Sequence, residues 1–232
     1  MHFAFTDDQK ALRDAVRAVL TAECSPGVVR AAWGPGSGRT PSLWNGLAEI
    51  GVLGMCVRDD HGGLGLTEID VVLVLEELGW HATPEPVVET AFLVAPLVDD
   101  AALRDALIAG SKSAAFVGPG APHALHAASA GAVLVCDAEG AALHAPESVA
   151  LEPVESVDGA RRLFRVMPSG PPSQRVDPAA ANRVALRATL AAAAQLVGLS
   201  RRMVDMAVEY AKVRRQFGQT IGAFQAVQHR LA

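Results

Sequence analysis

Arg214-Arg215-Gln216-Phe217-Gly218 places two cations, an amide and an aromatic ring side by side near the end of a 232-residue chain. An arginine presents a flat fork of donors that matches phosphate oxygens, and it keeps its charge when partly buried. A phosphorylated small molecule is one partner for such a cluster. The plainer reading is a pair of solvated charges at a helix C-terminus, where the dipole favours them. Three other groupings have the residue types for chemistry. Gly34-Pro-Gly-Ser-Gly-Arg-Thr40 is glycine-rich, but its spacing is not that of a phosphate loop, lysine is absent and no strand precedes it. His123 and His126 are spaced like metal ligands but lack a cysteine or carboxylate companion, so no metal site is expected. Ser42, Ser111 and Ser200 lack the sharp turn that exposes a nucleophile. His61 with its glycines, and Glu76 with Glu77, read as structural.

The bulk properties narrow the field further. The formal net charge is -5, so the chain has no general attraction for nucleic acid. Half of the residues are hydrophobic and 19% are charged, enough apolar mass for a sizeable core in one to three domains. Cys24, Cys56 and Cys136 are scattered and odd in number, which predicts buried reduced thiols in a cytoplasmic protein. Thr6-Asp7-Asp8-Gln9 is polar where a signal peptide would be apolar. No apolar run reaches the roughly 18 residues of a membrane span.

The elements that would position the cluster follow from periodicity. Thr6 and Gln9 form a capping box for a first helix carrying Leu12, Val16, Val19 and Leu20, which ends near Cys24, before Pro26. Trp33 to Arg39 is a loop. Thr40-Pro41 opens a second helix capped by Gly51, and Thr67 opens a third closed by Gly79. Two more helices are expected at about Pro86 to Leu97 and Ala101 to Ala109. From Ser113 the pattern changes to short β-like runs at Ala114–Val117, Gly131–Cys136, Ala141–His144, Val149–Val154 and Arg162–Val166. Pro168 to Pro178 reads as a linker. A long helix follows, with Leu186, Leu190, Ala193, Val197, Val204, Ala207 and Ala211 on one stripe. A last helix starts near Ile221 and stops in mid-pattern at Ala232, as in a chain whose remainder is missing. The expected fold is mainly α with a small β domain: a helical domain over 1–112, a reduced β domain and linker over 113–178, and the start of a C-terminal helical domain over 179–232.

Three stretches resemble acyl-CoA dehydrogenases. They are Phe5-Thr-Asp-Asp-Gln9; Leu47-Ala-Glu-Ile-Gly51-Val-Leu-Gly54 with His61-Gly-Gly-Leu-Gly65 and Glu76-Glu-Leu-Gly79; and Tyr210-Ala-Lys-Val-Arg214-Arg-Gln-Phe-Gly218 followed by Ile221 and Phe224-Gln225 to Gln228. The resemblance implies FAD as cofactor, with Arg214 on the pyrophosphate of a flavin in the neighbouring subunit, Gln216 and Phe217 lining the same half-site, and Gln225 on its adenosine side. Arg215 is the weaker candidate for such a contact. It implies α,β-dehydrogenation of an acyl-CoA thioester, with electron-transfer flavoprotein as acceptor. Two family features are missing. The region from Ala114 to Gly120 has no Thr-Glu-Pro, and all three tryptophans, Trp33, Trp44 and Trp80, lie in the first domain. The glutamate base is not found within 1–232: its early position falls near Ala188, between Arg187 and Thr189. Short bacterial members linked to steroid side-chain degradation are similar, and they pair two dehydrogenase-like chains in a heterotetramer. The expectation is therefore one subunit of such an enzyme, possibly acting on steroid-derived acyl chains. The alternatives are a non-catalytic subunit that completes a partner's flavin site, and a helical binding module without flavin.

Overall fold

The computed structural model describes residues 4–120, 122–137 and 140–232. The chain runs from helices to strands and back to helices. The first helix, α1 (Asp7–Glu23), is opened by the expected capping box: the Thr6 amide donates to Gln9 Oε1 at 2.9 Å and the Gln9 amide to Thr6 Oγ1 at 3.2 Å. Pro26 does not leave a loop behind it. Ser25 caps a short α2 (Pro26–Ala31), with the proline in the first turn, where its missing N–H costs nothing. Next come α3 (Pro41–Glu49), α4 (Glu68–Trp80) and α5 (Ala101–Ile108). The helix expected from Pro86 is instead a π-helical segment, Val88–Val94, running into a 3-10 turn at Ala95–Leu97.

The strands make two sheets. The larger has the order β1 (Ala114–Val117), β3 (Ala132–Asp137), β4 (Gly140–His144), β7 (Gln174–Val176), with β1 parallel to β3 and the rest antiparallel. The smaller has the order β2 (His123–Leu125), β6 (Leu163–Pro168), β5 (Val149–Val154), all antiparallel. β2 and β7 are absent from the sequence reading. Both have three residues, too few to show alternation, and β7 lies inside the stretch read as linker. Alternation on the larger sheet divides the core. Leu134, Cys136, Ala141 and Leu143 join the helical core, while Val133 and Val135 face the smaller sheet.

The long helix α6 (Pro178–Val213) packs on α4 through small residues. A Cβ on Gly198 would lie 1.9 Å from the Glu76 carbonyl oxygen, and one on Gly79 would lie 2.0 Å from that of Gln195. Gly79 therefore serves close helix approach inside α4; it does not close that helix, which continues to Trp80. The buried stripe of α6 is Ala180, Val184, Ala191, Ala194 and Gly198. Of the stripe expected from periodicity, Ala211 is buried and Leu190 half-buried. Leu186, Ala193, Val197, Val204 and Ala207 are exposed, because α6 is apolar on more than one side and α4 takes only the side lined by small residues. Polar bonds lock the arrangement: Arg17 pairs with buried Glu77 at 2.5 Å, and Arg201 pairs with Glu76. Among the described residues, no helix is long and apolar enough to cross a membrane.

Candidate functional site

The arginine cluster sits where α6 stops. Arg214 has φ −68° and ψ 124°, so it leaves the helical region, although its amide still donates to the Tyr210 carbonyl at 2.9 Å. Two short strands follow, β8 (Arg215–Gln216) and β9 (Gln219–Thr220), joined by Phe217 and Gly218. Both linking residues have positive φ, 51° and 83°. That is the backbone of a two-residue hairpin whose twist matches its strands. Glycine suits the second position; a phenylalanine at the first is held in a conformation that costs roughly 1–3 kcal/mol. Arg215 donates to the Gly218 carbonyl at 2.9 Å, and the Ile221 amide donates to that of Arg214 at 2.8 Å. These bonds close the turn and fix its angle to α6.

The hairpin presents Phe217 to solvent: its side chain is 92% exposed. One edge of the ring meets Phe224, with centroids 6.2 Å apart and planes at 87°. Phe224 immediately precedes α7 (Gln225–Leu231), so Gln225 stands beside the hairpin. Arg214, Gln216, Phe217 and Gln225 are all exposed along one short stretch. Among the described residues, no carboxylate pairs with Arg214. The Gln216 amide nitrogen donates to the Arg215 carbonyl at 2.7 Å. Arg215 is occupied in shaping the turn, which separates its part from that of Arg214.

An unpaired guanidinium, an exposed ring and two amides have the chemistry to hold a pyrophosphate and the base attached to it. They fit the ADP end of FAD. The ring end is a different matter. β1 runs into Gly118-Pro119-Gly120, and no tryptophan lies in the β region to wall a flavin ring.

The early base position is also changed. Ala188 is half-buried, and its neighbour Arg187 donates to Glu68 Oε1 at 2.5 Å, with its guanidinium 5.2 Å above the Phe92 ring. The Glu68 carboxyl is held below its usual range by its own backbone amide and by Arg187. The place thus holds a neutralised cation and no base. Two carboxyls escaped the sequence reading: Glu85, which is buried, and Glu89, which is half-buried within the π-helical segment, where loss of solvent pushes its pKa up. A hydrogen bond from the Glu89 backbone and the charge of Arg161 work against that rise. The apolar run around Glu89, Val87 to Val94, hid it.

His123 lies in β2, while the His126 ring donates from Nε2 to the Pro84 carbonyl at 2.9 Å. Among the described residues there is no cluster of three or more metal-binding side chains. The three cysteines are free and buried.

Comparison with known proteins decides the family. The acyl-CoA dehydrogenase N-terminal domain matches residues 6–101, and the acyl-CoA dehydrogenase C-terminal domain matches residues 181–232. The chain belongs to the acyl-CoA dehydrogenase family. It is 32% identical to acyl-CoA dehydrogenase IpdE2 of Mycobacterium tuberculosis, over 97% of this chain and 70% of that protein. It is 30% identical to IpdE2 of Mycolicibacterium smegmatis, over 98% of this chain and 72% of that protein. Its fold is that of the Mycobacterium tuberculosis ChsE4-ChsE5 complex, with a TM-score of 0.83 at 24% identity, over 100% of this chain and 74% of that one. It is also that of a Tcur3481-Tcur3483 steroid acyl-CoA dehydrogenase variant, with a TM-score of 0.84 at 23% identity, over 97% of this chain and 72% of that one.

Proposed function

We propose that this chain is one subunit of a heteromeric FAD-dependent acyl-CoA dehydrogenase, acting on steroid-derived acyl-CoA thioesters. In this reading it lends Arg214, Gln216, Phe217 and Gln225 to the ADP end of a flavin whose ring rests on a second, dehydrogenase-like chain. The observation that carries it is the hairpin after α6: a strained, 92% exposed Phe217 beside an arginine with no carboxylate of its own. A turn that spends free energy to hold an aromatic ring in water is readily explained if the ring has a partner elsewhere. Relatives support the rest. The curated proteins that resemble the chain are acyl-CoA dehydrogenases, and a similar fold occurs in a two-chain complex.

When bound, FAD supplies the oxidising chemistry by accepting hydride from the β carbon of the thioester. This chain's residues bind and orient. Arg214 offers two parallel donors to phosphate oxygens, Phe217 gives the adenine side an apolar wall, and the amides of Gln216 and Gln225 fix register. In this reading the base would be a carboxylate outside Arg187–Thr189, and an electron-transfer flavoprotein would be the acceptor. The test is Arg214→Ala in the purified complex. Its flavin content should fall at least tenfold after desalting, as expected for loss of a bidentate charge-assisted contact. Unchanged flavin content would remove Arg214 from the site. A second reading, a subunit with no catalytic group of its own, is favoured by the Arg187–Glu68 pair where a base would stand.

A further inference from the structure

A cleft of about 790 Å³ opens between the α1–α2 junction, the end of α4 and the middle of α6. That volume is in the range of small-molecule sites, roughly 300–1,000 Å³. Its walls are Trp33 and Trp80, with Met203 and Met206 on the α6 side. Two flat aromatic faces and two flexible thioethers suit a bulky apolar body whose outline they can follow. Two cations, Arg30 and Arg202, stand in the same lining. Among the described residues, neither has a carboxylate partner. The Arg202 guanidinium lies 4.3 Å above the Trp80 ring, and the Trp80 indole donates to Asp205 Oδ2 at 3.1 Å, so the ring is fixed and the cation is parked on its face. His81, also in the lining, is pushed below its usual pKa, first by burial and also by Arg202 nearby, so it adds no charge near neutral pH.

We infer that this cleft binds an amphipathic carboxylate, with its apolar body between Trp33, Trp80 and the methionines and its anionic head on Arg30 and Arg202. The site is separate from the proposed flavin half-site. Arg202 and Arg214 are twelve residues apart on α6, about 18 Å along the axis. Ala188 lies a similar distance in the other direction. The inference does not depend on dehydrogenation, since the lining of the cleft shares no residue with that half-site.

Decanoate, decanol and decylamine share one apolar chain and differ in charge, so they separate head-group recognition from burial. Each is titrated into the purified protein while tryptophan emission is followed. Trp33 and Trp80 report the cleft, and Trp80→Phe identifies the source of the signal. Decanoate should give a saturable change and bind at least tenfold more tightly than decanol, with decylamine weakest. Arg30→Gln and Arg202→Gln should each bring decanoate towards decanol and leave decanol unchanged. Among the described residues the cation stacked on Trp80 is Arg202 and not Arg30, so the Arg30 variant separates charge from that stacking. Equal affinity for decanoate and decanol, insensitivity to both substitutions, or no saturable response (a cleft filled by protein) would each overturn the inference.

Discussion

Arg214 could be picked out from its neighbours in the sequence, but its freedom could not. Sequence shows two adjacent arginines; the structure divides them, with Arg215 bonded to Gly218 and, among the described residues, no carboxylate on Arg214. What separates them is the left-handed backbone at Phe217, which no residue-type rule would assign to a phenylalanine. That conformation makes a prediction of its own. Phe217→Asn, a residue that tolerates positive φ, should stabilise the isolated chain by about 1 kcal/mol in urea melts, yet lower flavin retention in the complex. Loss of stability would show that the ring contact with Phe224 outweighs the backbone strain. The cysteines were legible from their spacing as ordinary thiols. Burial pushes Cys24 and Cys136 up to about 11 and Cys56 up to about 12. Alkylation by iodoacetamide at pH 8 should therefore be slow in the native protein and rapid once it is unfolded. Rapid native labelling would contradict the packing described for these three sites.

Among the elements, those with local signals were readable and those fixed by tertiary contact were not. Thr6 with Gln9 announces α1, and Thr6→Ala should cost about 1 kcal/mol, measured by chemical denaturation. The α4–α6 contact illustrates the second kind. Periodicity selected the stripe Leu186, Leu190, Ala193, Val197, Val204, Ala207 and Ala211, of which Ala211 is buried, whereas the side against α4 is the one lined by Ala191, Ala194 and Gly198. Close helix approach rewards absent side chains, and hydrophobicity patterns do not score absence. Gly198→Ala would place a methyl group 1.9 Å from the Glu76 carbonyl oxygen, so the helices must move apart. The expected cost is about 1–3 kcal/mol. A neutral or stabilising effect, as helix propensity alone would give, would show that the contact is looser than described. The π-helical segment was likewise unreadable, since one turn geometry differs from another by a single residue of register.

At the scale of the molecule, the order of helical and β regions was legible because composition changes near Ser113, while the bonds joining the regions were not. Arg39 pairs with Glu85 at 2.6 Å and bonds Ser113 at 3.0 Å, and His126 anchors the β region to Pro84. The His126 ring is enclosed, and burial lowers its pKa. The folded state therefore takes up this proton at lower pH than the unfolded state does. As pH falls below about 6.5, the unfolded chain binds more protons and stability drops. His126→Asn, which suits the positive φ of that position, should flatten the loss of Tm between pH 7 and pH 5; an unchanged slope would assign the acid sensitivity elsewhere. The central claim is larger: this chain completes a flavin site that another chain houses. The most direct measurement is the flavin count, by absorbance, in a complex co-expressed with a second, dehydrogenase-like chain. One flavin per pair of unlike chains is the predicted result. One flavin on every chain, or none in the complex, would contradict it.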